Sequence, residues 1–291
     1  GFEPVKTHSL HWIKHPEFKD AIARYLKSED TGIAQHIEQA IEMITTAQHP
    51  MIIAGGGVLY SEAELDLLAF AEKLGIPVGE TFAGKGAMPD DTPMALGGYG
   101  VTGTGSAGRL MRNADLVICI GTRLTDFTTG SQSAFENPQV KFIGIGVNGH
   151  DAYKQGALPI VADAKIALKA LLESAERSGI QPNPEYLSKI TDAKQAWKRM
   201  LEREVFVQHE SEAMSQLHAI NVINEQAQSG DIIIAAAGGP PGDLHQLWET
   251  SGGRRCHLEF GYSCMGYEIP AGLGVRMGQP EGEVYVLIGD G

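Results

Sequence analysis

The chain has 291 residues, of which 43% are hydrophobic, and its formal net charge at pH 7 is −13. The length predicts about two domains, and the acidic balance argues against a nucleic-acid partner or an anionic membrane surface. Three cysteines without paired spacing argue against a disulfide scaffold or a zinc site and favour a cytoplasmic location. No apolar run approaches the roughly 18 residues of a membrane-spanning helix.

Residues 1–30 are weakly patterned and are interpreted as a linker or edge segment. They include His8, His11 and His15, which are residues of a type that can bind a metal. No acidic or cysteine partner stands at a fixed spacing from these histidines, so we interpret them as surface residues.

Residues 31–175 alternate helical patterns with short apolar runs. One helical face carries Ile33, Ile37, Ile41 and Ile44. Strands are predicted at 51–54, 76–80, 116–121 and 142–147. Strands that are apolar throughout are typical of a parallel sheet covered on both faces. The pattern therefore predicts a doubly wound parallel-sheet α/β domain.

Helix-capping residues predict where the helices of this domain begin and end. Ser61 with Glu64 predicts a capping box at the start of one helix, and Gly75 predicts its end. Asp163 is predicted to cap a later helix whose apolar side carries Leu168, Leu171 and Leu172. A glycine-rich region at 97–108 precedes a short helix.

Three consecutive glycines, Gly55 to Gly57, follow the first strand. They are a weak nucleotide-binding signal, because the GxGxxG spacing and a ribose-binding acidic residue are missing. A tight turn explains them equally well. Arg123, Asp126 and Thr128 lie in a later loop where a nucleotide could bind, but a structural Arg–Asp pair is favoured.

The remainder is interpreted as a polar helical connector, 176–212, and the first part of a second α/β domain, 213–291. Its helix carries Leu217, Ile220 and Ile223. Strands are predicted at 231–237, 256–260 and 284–289, the last of them buried, and a helix at 268–277.

Three glycine-rich loops of this second domain, 238–243, 261–266 and 289–291, follow its strands. The carboxyl ends of parallel strands lie on one side, so these loops should meet there. Backbone N–H groups in such loops bind phosphate. Asp290, between Gly289 and Gly291, is a hard oxygen ligand suited to Mg²⁺. Together they predict a site for a phosphate-containing cofactor.

The segment GYSCMGYEIPA (261–271) and the following VLIGDG resemble the cofactor-binding domain of thiamine diphosphate-dependent enzymes. Residues 31–175 resemble the central domain of the same family, and the resemblance covers most of 31–291. AGGGVLYSEA (54–63) and PPGDLHQLW (240–248) are similar to members that open the ring of a cyclic dione in inositol catabolism. The resemblance implies a C–C bond hydrolase that uses thiamine diphosphate and Mg²⁺ and releases a deoxy-glucuronate.

The resemblance also implies roles for individual positions. Asp290 would be the first Mg²⁺ ligand, with Gly289 and Gly291 shaping its turn. Gly238 and Gly239 would lie in the diphosphate-binding loop. Met265 would prop the cofactor in its bent shape, and the backbone of Ser263 and Met265, on either side of Cys264, would bind the aminopyrimidine.

Departures from the family pattern limit what the chain should do by itself. The activating glutamate is expected on a preceding domain, and the asparagine that completes the metal site is expected after Gly291. The family's site forms between subunits, so a homodimer or homotetramer is expected of the full-length protein. Gly239-Pro240 stands where Ser or Thr and an apolar residue are expected, which leaves the side-chain phosphate contact in question. We expect no turnover by the 291 residues alone.

Two other functions remain open at this stage. The chain could belong to a thiamine diphosphate enzyme of the acetolactate synthase or 2-oxoacid decarboxylase type, some of which hold FAD or ADP in the central domain; neither nucleotide is favoured here. It could instead be a non-catalytic nucleotide-binding module. His245, Glu259 and Tyr262 lie near the loops, where contact with substrate and a structural role are both compatible with the sequence.

Overall fold

The computed structural model describes residues 31–206, 214–259 and 261–289. His8, His11 and His15 lie outside the described residues. Asp290 and Gly291, the centre and end of the predicted metal turn, also lie outside them.

A six-stranded parallel sheet forms the centre of the first domain. Its strands are β1 (Pro50–Ala54), β2 (Val78–Glu80), β3 (Ala95–Gly98), β4 (Leu116–Ile120), β5 (Lys141–Gly146) and β6 (Leu158–Val161). The spatial order is β3-β2-β1-β4-β5-β6. The predicted doubly wound fold is confirmed. The strands are all parallel, but the order in which they are added to the sheet reverses between β1 and β4, which is the position where such folds bind ligands.

Helices cover both faces of this sheet. They are α1 (Thr31–Thr46), α2 (Gly56–Tyr60), α3 (Glu64–Leu74), α4 (Gly105–Met111), α5 (Asp126–Thr129), α6 (Gly149–Ala152) and α7 (Ala164–Ser178), with 3₁₀ turns at Phe82–Gly84 and Lys154–Gly156. The predicted apolar face of α1 is confirmed, since Ile37, Ile41 and Ile44 are buried in the core.

The predicted cap of α7 is confirmed, and the predicted capping box of α3 is wrong. Asp163 Oδ1 accepts hydrogen bonds from the N–H groups of Lys165 at 3.0 Å and Ile166 at 3.3 Å. Helix α3 begins after Ala63, which makes no side-chain cap. Ser61 Oγ instead donates to Asp163 Oδ2 at 2.7 Å, so a tertiary partner has replaced the local one. Gly75 ends α3 in the left-handed conformation, as predicted.

The polar helix α8 (Pro184–Met200) lies against the central domain and continues into a π-helical turn, Leu201–Val205. Tyr186, Ile190 and Ala193 are buried in the same core as the central sheet. Tyr186 Oη donates to the carbonyl of Pro50 at 2.9 Å. This segment therefore contributes packing to the first domain.

A three-stranded parallel sheet forms the second domain. Its strands are β7 (Ile232–Ala235), β8 (Arg255–Leu258) and β9 (Val284–Val286), in the order β8-β7-β9. The helices are α9 (Gln216–Gln226), α10 (Pro240–Leu247) and α11 (Glu268–Gly278), with a 3₁₀ turn at Ser251–Gly253.

Two sequence expectations for the second domain are corrected. Residues 240–243 were expected in a loop, but Pro240 begins α10, because proline is well suited to the first helical positions, where its missing N–H is not needed. Strand β9 was expected to be buried, but all three of its residues are only half-buried. Among the described residues, no helix is long and apolar enough to cross a membrane.

Candidate cofactor site

Loops after three parallel strands form one edge of the second domain. β7 leads to Gly238 and Gly239, β8 leads to the segment 259–267, and β9 leads to Gly289. Because β8 and β9 both pair in parallel with β7, the carboxyl ends of all three strands point to the same side. The structure thus brings the predicted loop residues that it describes to one edge of the sheet.

The loop after β7 offers two unused backbone donors. Gly238 has a φ of 78°, a left-handed conformation that favours glycine. Within the described residues, the N–H groups of Gly238 and Gly239 donate no hydrogen bond. Pro240 and Pro241 have no N–H, and the N–H of Gly242 donates to the Gly239 carbonyl at 3.0 Å. A phosphate at this helix end would therefore bind the Gly238 and Gly239 amides.

Glu259 organises the loop after β8. Its Oε1 accepts from the N–H groups of Gly261 at 2.7 Å and Tyr262 at 3.2 Å, and its Oε2 accepts from Cys264 N–H at 3.0 Å. Burial opposes ionisation of this carboxyl, but these backbone donors lower the pKa of Glu259 below its ordinary value. Ser263 has a φ of 51°. Glu259 is therefore a structural anchor of this loop.

The loop presents apolar side chains to solvent. Tyr262 is 93% exposed and Met265 is 80% exposed, so Met265 does not fill the core. Ser263 and Cys264 are also exposed. Behind the loop, His257 Nε2 and Tyr267 Oη are 2.8 Å apart. Met265 is thus free to contact a bound group, as the resemblance implies.

Sequence reasoning missed Glu268, the first residue of α11. Its side chain is 2% exposed, and Oε1 accepts from Ala237 N–H at 3.1 Å. Oε2 is buried and has no hydrogen-bond partner within the described residues. A glutamate at the start of a helix is common, since the charge suits the helix dipole, so the sequence carries no signal that this one is buried.

The described part of the site fits the group that the resemblance implies. Two free amides at the start of α10 suit a diphosphate, and Met265 supplies an exposed apolar contact. Within the described residues no group of three or more His, Cys, Asp or Glu side chains could hold a metal ion. The metal ligand implied by the resemblance, Asp290, lies outside them.

A buried charged cluster connects the two domains, and sequence reasoning missed it as well. The Lys85 side chain is 1% exposed; its Nζ lies 3.3 Å from Asp90 Oδ1 and 3.6 Å from Glu80 Oε2. Asp90 Oδ2 accepts from Thr250 N–H at 2.7 Å and Thr250 Oγ1 at 3.1 Å. A carboxylate of the first domain thereby holds the second.

Ionisation within the cluster is perturbed. Burial raises the pKa of Glu80 to about 7, although Lys85 opposes the shift. For Lys85, burial works against the charged form, but Asp90 and Glu80 outweigh it and raise the pKa. Lys85 therefore stays charged while Glu80 is poised to titrate near neutral pH.

His245 makes a second bridge between the domains. It projects from α10, and its Nε2 donates to the Glu80 carbonyl oxygen at 2.7 Å. Nδ1 is then the acceptor for Thr102 Oγ1 at 3.3 Å. Burial, and to a lesser extent the nearby Lys85 charge, lowers the pKa of His245 to about 3. Of the two roles left open for His245, these contacts support the structural one.

A cavity of about 890 Å³ opens at the carboxyl ends of the central strands. Its wall is built from the turns after β1, β2, β4 and β5, and His245 closes one side from the second domain. The cavity lies where the sheet order reverses, and its size is within the range of small-molecule sites.

The glycines beside this cavity have a packing reason. A Cβ on Gly55 would lie 2.4 Å from the Gly121 carbonyl oxygen, and one on Gly57 would lie 2.6 Å from Gly121 Cα. The turns after β1 and β4 therefore pack backbone against backbone. The expected Arg123–Asp126 pair is wrong: Arg123 is exposed and lines the cavity, and within the described residues its guanidinium makes no ion pair.

Comparison with known proteins gives two matches to one family. Residues 37–171 match the thiamine pyrophosphate enzyme central domain, and residues 236–291 match the C-terminal TPP-binding domain of these enzymes. Residues 1–47 also match a FemAB-like peptidoglycan biosynthesis and recognition family; the described part of that range is α1 and the start of the next turn.

The chain is also similar to curated proteins named 3D-(3,5/4)-trihydroxycyclohexane-1,2-dione hydrolase. The Clostridium perfringens (strain ATCC 13124) protein is 40% identical over an alignment of 282 residues, and the match covers 89% of this chain and 44% of the relative. The Clostridium tetani protein is 39% identical over an alignment of 280 residues, which covers 88% of this chain and 43% of the relative. The Bacillus cereus (strain AH820) protein is 41% identical over an alignment of 278 residues, which covers 88% of this chain and 43% of the relative. The chain thus spans about half the length of these relatives.

Proposed function

Since the chain belongs to the thiamine pyrophosphate enzymes, carrying their central domain and sequence of their C-terminal TPP-binding domain, we propose that it is part of a Mg²⁺-dependent C–C bond hydrolase. The proposed substrate is 3D-(3,5/4)-trihydroxycyclohexane-1,2-dione, opened to 5-deoxy-glucuronate in inositol catabolism. The proposed enzyme is a cytoplasmic homodimer or homotetramer.

The observation that carries this proposal is the 40% identity, over 282 residues, to a hydrolase named for that substrate. The geometry supports the part of the proposal that concerns binding of thiamine diphosphate. Three loops meet at one sheet edge, and the amides of Gly238 and Gly239 are free. Met265, in the loop after β8 at the same sheet edge, is exposed and can supply an apolar contact.

The bound cofactor would supply a carbon nucleophile and an electron sink for breaking the bond between the two carbonyl carbons. This chain's residues would bind and orient it. Gly238 and Gly239 would donate to the diphosphate, Asp290 would hold Mg²⁺, and Glu259 would keep the segment 261–265 in place. The side-chain contact expected from Ser or Thr is replaced here by backbone contacts.

Substituting Asp290 with alanine in the full-length protein should lower cofactor-dependent ring opening by at least about 100-fold, since even outer-shell metal partners are worth about 10–100-fold. The measurement is steady-state turnover of the dione with thiamine diphosphate and Mg²⁺. Asp192, exposed on α8, provides a matched control, and Asp192→Ala should keep wild-type turnover.

Metal-dependent turnover that survives in Asp290→Ala would contradict the proposed ligand. Acetolactate formation from pyruvate, with no ring opening by the unmodified protein, would favour the synthase alternative. The 291 residues are assayed alone in parallel. Ring opening by them would contradict the expectation that the activating glutamate lies elsewhere.

A second candidate function is nucleotide binding by the central domain, which the cavity favours. The cavity has room for a nucleotide and lies at the switch point of the sheet. Arg123 lines the cavity, and its guanidinium has no acidic partner within the described residues. An anionic ligand would give that charge a partner.

Arg123→Gln should weaken binding of ADP or FAD by about 10-fold or more, because a hydrogen bond to a charged group is worth about 1.5–3 kcal/mol. Isothermal titration calorimetry with each nucleotide measures this. Arg112→Gln is the control, since Arg112 is exposed and pairs with Glu136 away from the cavity. If the unmodified protein binds neither nucleotide, this second candidate fails.

A further inference from the structure

Glu268 ties the start of α11 to the loop that follows β7. It is buried, and the hydrogen bond from Ala237 N–H to its Oε1 joins residues 31 positions apart. Ala237 directly precedes Gly238 and Gly239, the residues with the two free amides. Glu268 therefore controls the conformation of a loop that the proposed function places on the diphosphate.

The helix that carries Glu268 is held closely against the sheet. A Cβ on Gly272 would lie 2.6 Å from Val286 Cγ2, so α11 can approach β9 only because this residue is glycine. The helix backbone at Gly272 thus packs directly against the Val286 side chain, which limits how far this part of the helix can shift towards the sheet. The carboxylate is thus presented to the loop from a rigid element.

The second oxygen of this carboxylate is in an unfavourable position as the structure describes it. Oε2 is buried and accepts no hydrogen bond within the described residues. Leaving a buried acceptor unsatisfied costs about 1–3 kcal/mol, and more for a charged group. Both oxygens are bonded to one carbon, so Oε2 lies beside the same loop as Oε1. A donor at this position would remove the cost.

We propose that Glu268 is a positioning residue for the cofactor: Oε1 fixes the Ala237–Gly239 loop, and Oε2 accepts a hydrogen bond from a water molecule bound to Mg²⁺. The inference rests on the proposed function. A bare carboxylate and a diphosphate would repel each other, whereas a water molecule held by Mg²⁺ would donate a hydrogen bond to the carboxylate. Outer-shell acceptors of this kind orient metal ligands and strengthen metal binding.

Two substitutions separate the roles of the two oxygens. Glu268→Gln can retain the acceptor for Ala237 through Oε1 and replaces Oε2 with an amide donor. It should raise the Kd for Mg²⁺, titrated in the presence of thiamine diphosphate, by about 10–100-fold. It should not lower the thermal midpoint of the cofactor-free protein, because Oε2 has no hydrogen bond to lose there within the described residues. Glu268→Ala removes both acceptors, so it should weaken binding and also speed hydrogen exchange of the Ala237 amide.

The titrations use the full-length protein with intrinsic tryptophan fluorescence as the signal, with Mg²⁺ alone and Mg²⁺ plus thiamine diphosphate as probes. Glu281→Gln is the control, because Glu281 is exposed. In the unmodified protein, cofactor and Mg²⁺ together should slow exchange at Ala237.

A Glu268→Gln protein that binds Mg²⁺ and cofactor as tightly as wild type would overturn the role of Oε2. Exchange of the Ala237 amide as slow in Glu268→Ala as in the unmodified protein would overturn the role of Oε1. If the unmodified protein binds no thiamine diphosphate, the proposed function itself fails, which is a different result from both.

Discussion

Replacing Lys85 with methionine should lower the free energy of unfolding by about 3–5 kcal/mol, the usual loss when one partner of a buried ion pair is removed. Methionine fills similar space but leaves Glu80 and Asp90 without a cation. Glu80 Oε2 already has no hydrogen bond, so Lys85 is its nearest compensating group. Chemical denaturation followed by tryptophan fluorescence measures the effect.

Lys169→Met is the matched control, because Lys169 is exposed on α7. A substitution at such a site should change stability by no more than about 0.5 kcal/mol. A loss below about 1 kcal/mol for Lys85→Met would contradict the account of the cluster as an essential charge balance.

The Glu80→Gln protein should gain stability relative to wild type as the pH rises from about 4.5 to 7. The pKa of Glu80 is about 7 in the folded protein, against an ordinary value of 4.5. In that window the folded protein binds more protons than the unfolded chain, so Glu80 lowers stability as pH rises. At 1.36 kcal/mol per pKa unit, the difference between the variants should change by about 3 kcal/mol.

His245 acts with the opposite sign over an overlapping range. Its pKa is lowered to about 3 from an ordinary 6.5, so its contribution to stability increases as pH rises between those values. The wild-type curve alone would partly hide the Glu80 effect. Denaturation of both variants at several pH values isolates it, since His245 is common to both. A difference that does not vary with pH would contradict the raised pKa.

The parts of the fold that the sequence predicted well have strong local signals. MIIA and LVICI are continuous apolar runs, and they form central strands β1 and β4. Strands β3 and β6 were not predicted, because ALGG contains two glycines and LPIV contains proline, residues that are poor in strands. Their pairing with β2 and β5 outweighs the local preference.

In the candidate site, too, the features with a local sequence signal were predicted and those that depend on tertiary contacts were not. Glycine-rich turns after strands identified the loops at 238 and 261, because backbone conformation leaves a mark in the sequence. The roles of Lys85, Glu80 and Glu268 depend on burial between elements distant in the chain. Lys85, in the segment GKGAMPDD, has the sequence context of a surface residue. Its place in a cluster between the domains becomes visible only when Asp90 is seen to bind Thr250 of the second domain. The Ser61 capping box failed for a related reason, since Asp163 competes for the same hydroxyl.

His245 lines the large cavity and is also a residue of α10, the helix that begins directly after Gly238 and Gly239. Its hydrogen bonds to the Glu80 carbonyl and Thr102 leave it little room to move independently. Any ligand in the cavity that displaces this ring must act on α10. Binding at the two sites would then be coupled. If a ligand in the cavity changes the affinity of the Gly238–Gly239 loop for the cofactor by some factor, the bound cofactor changes the affinity of the cavity for its ligand by the same factor.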